Sequence, residues 1–142
     1  MLEAQRVCRF IEKRLTADNG VGGVHTLVGG RIYRDRLPQG KPRPAVTIAV
    51  VNADDFNSYD GAHVSADIEI DVAVRGDGED YAPFNTIAAR VFTVLQEASG
   101  VEEGVYVVQL RRTSVNPYQT TAAGNLVFSH IVQTFFTEAE PA

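Results

Sequence analysis

The sequence is poor in cysteine, in basic charge and in long apolar stretches. Cys8 is its single cysteine, which excludes an intrachain disulfide and any metal site built from several cysteines. Acidic residues outnumber basic ones, 18 to 13, and the net charge is −5. That balance argues against a protein that binds nucleic acid by neutralising phosphates. No stretch of uncharged apolar residues approaches the roughly 18 of a membrane helix, and the charged N-terminal region is unlike a signal peptide. We therefore expect a soluble protein made in the cytoplasm, with no membrane partner.

Length and composition predict a single folded domain. The chain has 142 residues, of which 44% are hydrophobic and 22% are charged, both ordinary values for a globular domain. We expect one domain over residues 1–142. Its acidic end, residues 138–142, is expected to be frayed.

No motif indicates catalysis, a cofactor or a metal. The glycine-rich run 20–30 lacks the Gly-Lys-Ser/Thr of a phosphate-binding loop, and no strand precedes it, so we interpret it as a flexible connection. His25, His63 and His130 lie too far apart in sequence for the short ligand spacing of a zinc site. Cys8 lies on an apolar helix face, where a buried, unreactive thiol is expected. The sequence also lacks a Gly-x-Ser-x-Gly motif. We expect a protein that is not an enzyme and needs no cofactor.

The apolar pattern predicts two helices and five strands. Helical spacing covers residues 2–17 and 80–98, with Asp80 as the expected N-cap and Pro83 in the first turn. The expected strands are 31–34, 45–51, 62–75, 105–112 and 126–137. In 62–75 apolar and polar residues alternate, so that strand has one dry face and one wet face. This order predicts an α+β domain, with an antiparallel or mixed β-sheet of about five strands and two α-helices packed on one face.

Three acidic residues share the wet face of the alternating strand. Asp67, Glu69 and Asp71 are spaced about 6.6–6.8 Å apart along it. They could form a solvated face that discourages edge pairing, or a divalent metal site, although a flat row converges poorly on one ion. A third interpretation is collective, because copies of this strand around a ring would make a negative wall that repels phosphates. The sequence leaves these interpretations open.

Two long polar loops are expected to carry contacts with other subunits or partners. Residues 52–61 and 113–125 contain aromatic residues among polar ones, a composition found at protein–protein contacts. The alternative is that these aromatics fold back onto their own domain. The candidate contact residues are Phe56, Tyr59, Asp60, Asn116, Tyr118 and Gln119.

Short motifs in a fixed order give the chain a family resemblance. Leu27-Val-Gly-Gly-Arg-Ile-Tyr33 is followed by a proline-bearing turn and by Pro44-Ala-Val-Thr-Ile48, which opens a strand. The alternating strand and a helix containing Ile87-Ala-Ala-Arg-Val91 come next, and a hairpin closes the order. Over residues 5–137 this order resembles the tail terminator and tail-completion proteins of long-tailed phages and prophages. Ala45 departs from the aromatic residue that the family often has there.

The resemblance implies a structural virion protein with no catalytic residue. Such proteins form a ring, six-fold in this family, that caps the head-proximal end of the tail tube, ends tube polymerisation and joins the tail to the head connector. The implied partners are other copies of the chain, the tail tube protein and the connector or neck proteins. DNA passes through the ring without specific binding, and Asp67, Glu69 and Asp71 would line its channel. A neck or head-completion connector protein of the same virion is the alternative. A small ligand-binding or enzymatic α+β domain is a further alternative.

Overall fold

Eight strands and three α-helices make up the part of the chain that the computed structural model describes, residues 2–54, 57–59 and 63–142. Of Leu2, Asn57–Tyr59, His63 and Val64 the backbone alone is described. The elements are α1 (Leu2–Ala17), α2 (Val24–Leu27), β1 (Ile32–Arg34), β2 (Ala45–Ala53), β3 (Asn57–Tyr59), β4 (His63–Asp77), α3 (Ala82–Leu95), β5 (Gly100–Glu102), β6 (Val105–Val107), β7 (Arg111–Ala122) and β8 (Leu126–Pro141). A 3-10 turn over Ala123–Asn125 joins β7 to β8.

The strands form one mixed sheet in the order β1-β2-β4-β8-β6-β5. β1 runs parallel to β2, and the other pairs are antiparallel. β3 pairs with the start of β4, and β7 pairs with β8 on the side where β6 also lies. The predicted α+β class with a mixed sheet is confirmed. The strand number was underestimated because β3 and β5 have three residues each, too few to show a periodicity, and because the predicted strand 105–112 merges β6 with the start of β7.

One face of the sheet is dry because α1 and α3 cover it. Every second residue in the central part of β4 is buried, and Ile68, Ile70 and Val72 are fully so. The helices turn their apolar stripes to this face, as the sequence predicts, and the placement of both on one face is confirmed. Their fully buried residues are Ala4, Val7, Ile11 and Leu15 on α1 and Val91 and Leu95 on α3.

The glycine-rich run between α1 and β1 is ordered, so the expectation of a flexible connection is wrong. Val24 at the start of α2 is fully buried, and its backbone N–H donates to Oδ2 of Asp18 at 2.9 Å. Arg90 of α3 donates to both oxygens of the same carboxylate, at 2.7 and 2.8 Å. These bonds, chiefly that from Arg90, lower the pKa of Asp18. The carboxylate therefore joins the end of α1, the start of α2 and the middle of α3.

Two local features position α3 against the sheet. Asp80 precedes the helix and accepts a hydrogen bond from the backbone N–H of Ala82 at 2.9 Å, which is close to the capping role predicted for it. Pro83 lies in the first turn, as expected. Gly76 of β4 is needed for close approach, because a Cβ atom there would lie 2.2 Å from the ring of Phe84. The helix ends at Leu95, three residues earlier than predicted.

Two expectations about the C-terminal part of the chain are wrong. Residues 113–125, predicted to be a loop, belong mainly to β7, which forms a long hairpin with β8. All twelve β7 residues are exposed, so the strand has no alternation of buried and exposed positions for the sequence to reveal. The tail, expected to fray from residue 138, continues β8 to Pro141. It is held by pairing with β4 and β6, and Ala139 is fully buried.

Candidate functional site: the open face and free edge of the sheet

The face of the sheet opposite α1 and α3, hereafter the open face, carries four carboxylates close together. Asp67, Glu69 and Asp71 share this face of β4, as their spacing predicts, and Glu138 joins them from β8. Asp67 and Glu138 are direct cross-strand partners. Asp67 and Glu138 are exposed, and the other two are half-buried. We call these four residues the acidic patch.

The acidic patch is not neutralised within the described part of the chain, where no lysine or arginine nitrogen lies within 4.0 Å of its carboxylates. Among the described residues, the one side-chain hydrogen bond to these carboxylates is from the Thr134 hydroxyl, which donates to Oδ1 of Asp71 at 2.6 Å. Like charges directly opposite each other on neighbouring strands destabilise a sheet. The pairing of Asp67 with Glu138 therefore does not serve the stability of an isolated subunit.

Glu138 is the member of the patch that sequence reasoning missed. The sequence places Glu138 in the expected frayed tail, beyond a predicted strand that ends at residue 137, whereas β8 continues to Pro141 and pairs with β4. The register that places Glu138 opposite Asp67 follows from Ile131 opposing Val74 and Phe135 opposing Ile70, so that buried residues meet on the dry face.

The other half of the open face is a polar network centred on Arg75, about 26 Å along β4 from Asp67. Its guanidinium donates to the Thr47 hydroxyl at 3.2 Å, to the Tyr118 hydroxyl at 2.8 Å and to Nδ1 of His130 at 3.1 Å. The ring of Tyr118 stacks on His130 with 4.7 Å between centroids. The candidate residue Tyr118 thus contacts its own domain, although it stays 36% exposed.

His130 is held in its neutral form by this network. Arginine can only donate, so Nδ1 accepts from Arg75, and Nε2 carries the proton that is donated to the Thr120 hydroxyl at 2.8 Å. Burial, followed by the charges of Arg75 and Arg43, lowers the pKa of His130 to about 4.

This depressed pKa predicts a loss of stability in mild acid. Between pH 6.5 and about 4 the unfolded chain binds a proton at His130 and the folded chain does not, so the free energy of unfolding falls as the pH falls through that window. The full loss is roughly 3 kcal/mol. Urea titrations at pH 7 and 4.5 measure it, and a His130→Gln variant is expected to lose much of the dependence. Equal pH dependence in both proteins would contradict this assignment.

Of the other candidate contact residues, Tyr59 and Gln119 lie towards opposite ends of the sheet, and Asn116 lies midway along β7. β3, which contains Tyr59, pairs with the first residues of β4. The β7–β8 turn lies beside the last residue of β4, since Asp77 pairs with Phe128. Asn116 is exposed on β7, and the Gln119 amide donates to the Glu79 carbonyl oxygen at 2.8 Å and to the Ser129 hydroxyl at 3.2 Å. Phe56 and Asp60 lie outside the described residues.

Two surface depressions among the described residues lie away from the acidic patch. One of about 550 Å³ is lined by Asp77–Glu79 and Asn125–Phe128, and one of about 500 Å³ lies beside α1. A smaller one, of about 300 Å³, includes Glu138 and Arg111.

Across residues 2–54, 57–59 and 63–142, no three His, Cys, Asp or Glu side chains are grouped so that they could hold a metal ion. None of the helices described is both long and apolar enough to cross a lipid bilayer.

Comparison with known proteins identifies the family of the chain. The family described as "Tail completion protein gp17" matches residues 11–133. The chain belongs to this family. As a tail completion protein it is a structural component of the virion tail. A chain in a solved structure entitled "Virion of native gene transfer agent (GTA) particle" has the same fold, with a TM-score of 0.74 and 21% identity over 97% of each chain. No curated protein matches the sequence.

Proposed function

We propose that copies of this chain form a closed ring at the head-proximal end of the tail tube. The ring ends tube polymerisation, joins the tail to the head connector and lets DNA pass through its hole. Its action is mechanical and electrostatic, and no residue acts in catalysis. Family membership supports the placement in the tail, and the acidic patch carries the argument for the channel.

The acidic patch suits a surface past which DNA must slide. Four carboxylates on one open face, without basic partners among the described residues, produce a local negative potential. Duplex DNA carries one negative charge per about 1.7 Å of its axis. A wall of like sign repels the phosphates and removes the contacts that would hold the DNA in place.

The shape of the subunit supports ring closure. A ring needs two different surfaces on each subunit, because a surface that pairs with itself gives a two-fold dimer and stops. The end of the sheet at β3 and the end at the β7–β8 turn lie on opposite sides of the subunit. They provide two distinct regions for contact with neighbouring subunits or with the tube and the connector.

A neck or head-completion connector protein is the second candidate, because such a protein also forms a ring that DNA crosses. Negative-stain imaging of particles assembled without this chain separates the two. The terminator role predicts overlong tails, because nothing ends tube growth. Tails of normal length beside unattached heads would contradict the terminator role and favour the connector role. Particles with normal, attached tails would contradict both.

The remaining alternative is a ligand-binding or enzymatic domain that uses Asp67, Glu69 and Asp71. The structure favours it less, because these side chains lie in a row along an open strand face. A thermal-shift screen against divalent metals and metabolites tests it. A ligand-dependent stabilisation that disappears in an Asp67→Asn, Glu69→Gln variant would favour this alternative over the ring.

A further inference from the structure

The outer edge of β7 is a long, open strand edge. Within the described part of the chain β7 pairs with β8 alone, and all twelve of its residues are exposed. Val115 is 47% exposed and Tyr118 is 36% exposed. Natural proteins usually protect such edges, because unpaired backbone groups attract other strands. Here the protection is limited to Pro117 and to a shift in the β7–β8 pairing register between Arg112 and Ser114.

The direction of the backbone groups on this edge follows from the neighbouring strand. The carbonyl oxygen of Val127 accepts a hydrogen bond from the N–H of Gly78, so Val127 turns its polar groups away from β7. Its partner Thr121 must then turn its own N–H and C=O away from β8. Backbone polar groups alternate in direction along a strand, so those of Gln119, Pro117 and Val115 also point away from β8. Pro117 fits this position because its missing N–H is not needed by the β8 ladder.

We propose that this edge, Val115–Thr121, is a subunit contact at which a second copy of the chain docks an extended segment. The outward N–H groups of Val115, Gln119 and Thr121 and the four outward carbonyl groups would pair with the backbone of that segment. Such strand addition draws its affinity from main-chain hydrogen bonds. The inference rests on the proposed ring and names one of its contact surfaces.

Charge favours another copy as the occupant. The edge Val115–Thr121 has no charged side chain and the flanking residues 108–125 add two arginines and no acidic residue, whereas the whole chain has a net charge of −5, so an acidic neighbouring copy meets no like charge at this edge. Arg112 is directed inward, because it donates to Gln133 and lies over the Phe92 ring. Arg111 is thus the one arginine of this strand left to contact an acidic neighbour, too little for a DNA-binding surface. In a ring the docking segment has to lie outside β7, because β7–β7 pairing between two copies would be isologous and would close a two-fold dimer.

A double proline variant tests the role of the backbone. Val115→Pro, Thr121→Pro removes two outward N–H donors and leaves the β8 ladder intact. We expect loss of the ring peak in size-exclusion chromatography with light scattering, and a monomer with the circular dichroism of the parent. The matched control, Val115→Ala, Thr121→Ala, keeps both donors and is expected to form the ring. A folded proline variant that still forms the parent's ring would overturn the proposal.

Thiol labelling gives a second test that does not depend on a proline being tolerated. Burial, above all, raises the pKa of the Cys8 thiol to about 12, so the native cysteine does not compete for maleimide at neutral pH. A Val115→Cys thiol is expected to label in the monomer and to lose labelling in the ring. Val21 is fully exposed on a loop, and a Val21→Cys thiol is expected to label in both states.

The outcomes separate this inference from the proposed function. A parent chain that stays monomeric alone and with tail tube protein contradicts the ring itself. A parent that forms the ring, with Val115→Cys labelling as fast as in the monomer, overturns the edge contact and leaves the ring standing. Protection that arises only when tube or connector protein is added to preformed rings would assign the edge to that protein and overturn docking of a second copy.

Discussion

Replacement of Ile70 by aspartate is expected to unfold the subunit. Ile70 is fully buried at the centre of the sheet, with Val50 and Phe135 as its cross-strand partners. The variant loses the burial of a large aliphatic side chain and places an unpaired carboxylate in the core. Together these effects cost about 4 kcal/mol or more, a large part of the 5–15 kcal/mol that stabilises a typical domain. Circular dichroism and urea titration measure the loss.

Asp67→Asn is the matched control, because Asp67 lies three residues earlier on the same strand with its side chain exposed on the open face. Its urea midpoint is expected to equal or slightly exceed that of the parent, since the substitution relieves repulsion from Glu138. Unfolding of Asp67→Asn, or a folded Ile70→Asp variant, would show that the two faces of β4 have been assigned the wrong way round.

Charge reversal of the acidic patch is expected to turn a ring that DNA slides through into one that holds DNA. The variant Asp67→Lys, Glu69→Lys, Glu138→Lys keeps Asp71, which is bonded to Thr134. It changes the formal charge of each subunit from −5 to about +1. We expect no retention of duplex DNA by the parent ring at low salt and clear retention by the variant. The affinity should fall about 3.5-fold per phosphate contact between 50 and 200 mM salt.

The matched control reverses the same number of charges elsewhere. Glu79, Glu97 and Glu103 are exposed and lie in turns outside the strands, so their replacement by lysine changes the net charge equally without altering the open face. Weak DNA retention by this control and strong retention by the patch variant locate the effect at the patch. Equal retention by both would show that net charge alone governs DNA binding, and that the patch has no special position in the ring.

The sequence predicts the elements whose two faces differ. The bounds of α1 were predicted correctly because apolar residues recur on one side from Ala4 to Leu15. β4 was predicted well because its alternation is sustained between a dry face and a wet face. β7 was missed because both of its faces and one of its edges are open, so burial imposes no pattern on its side chains. A strand that is exposed along its whole length is therefore one that a hydrophobic pattern does not reveal.

The candidate site could be predicted only in part, because it is assembled by strand pairing. Asp67, Glu69 and Asp71 share a face on grounds of spacing alone. The addition of Glu138 to the patch, and of His130 to the Arg75 network, depends on the antiparallel register of β4 and β8. The buried side chains of the dry face set that register, and no local motif in either strand records it.

The most direct test is to determine how the subunits are oriented in the assembled tail, and whether the acidic patch faces the hole. Cryo-electron microscopy of the tail, viewed along its axis at the head-proximal end, would resolve it. We expect a closed ring about six times the 15.5 kDa mass of one chain, with the open face of each sheet and the acidic patch at the hole. A ring whose acidic patches face outward, with the helices lining the channel, would contradict the account.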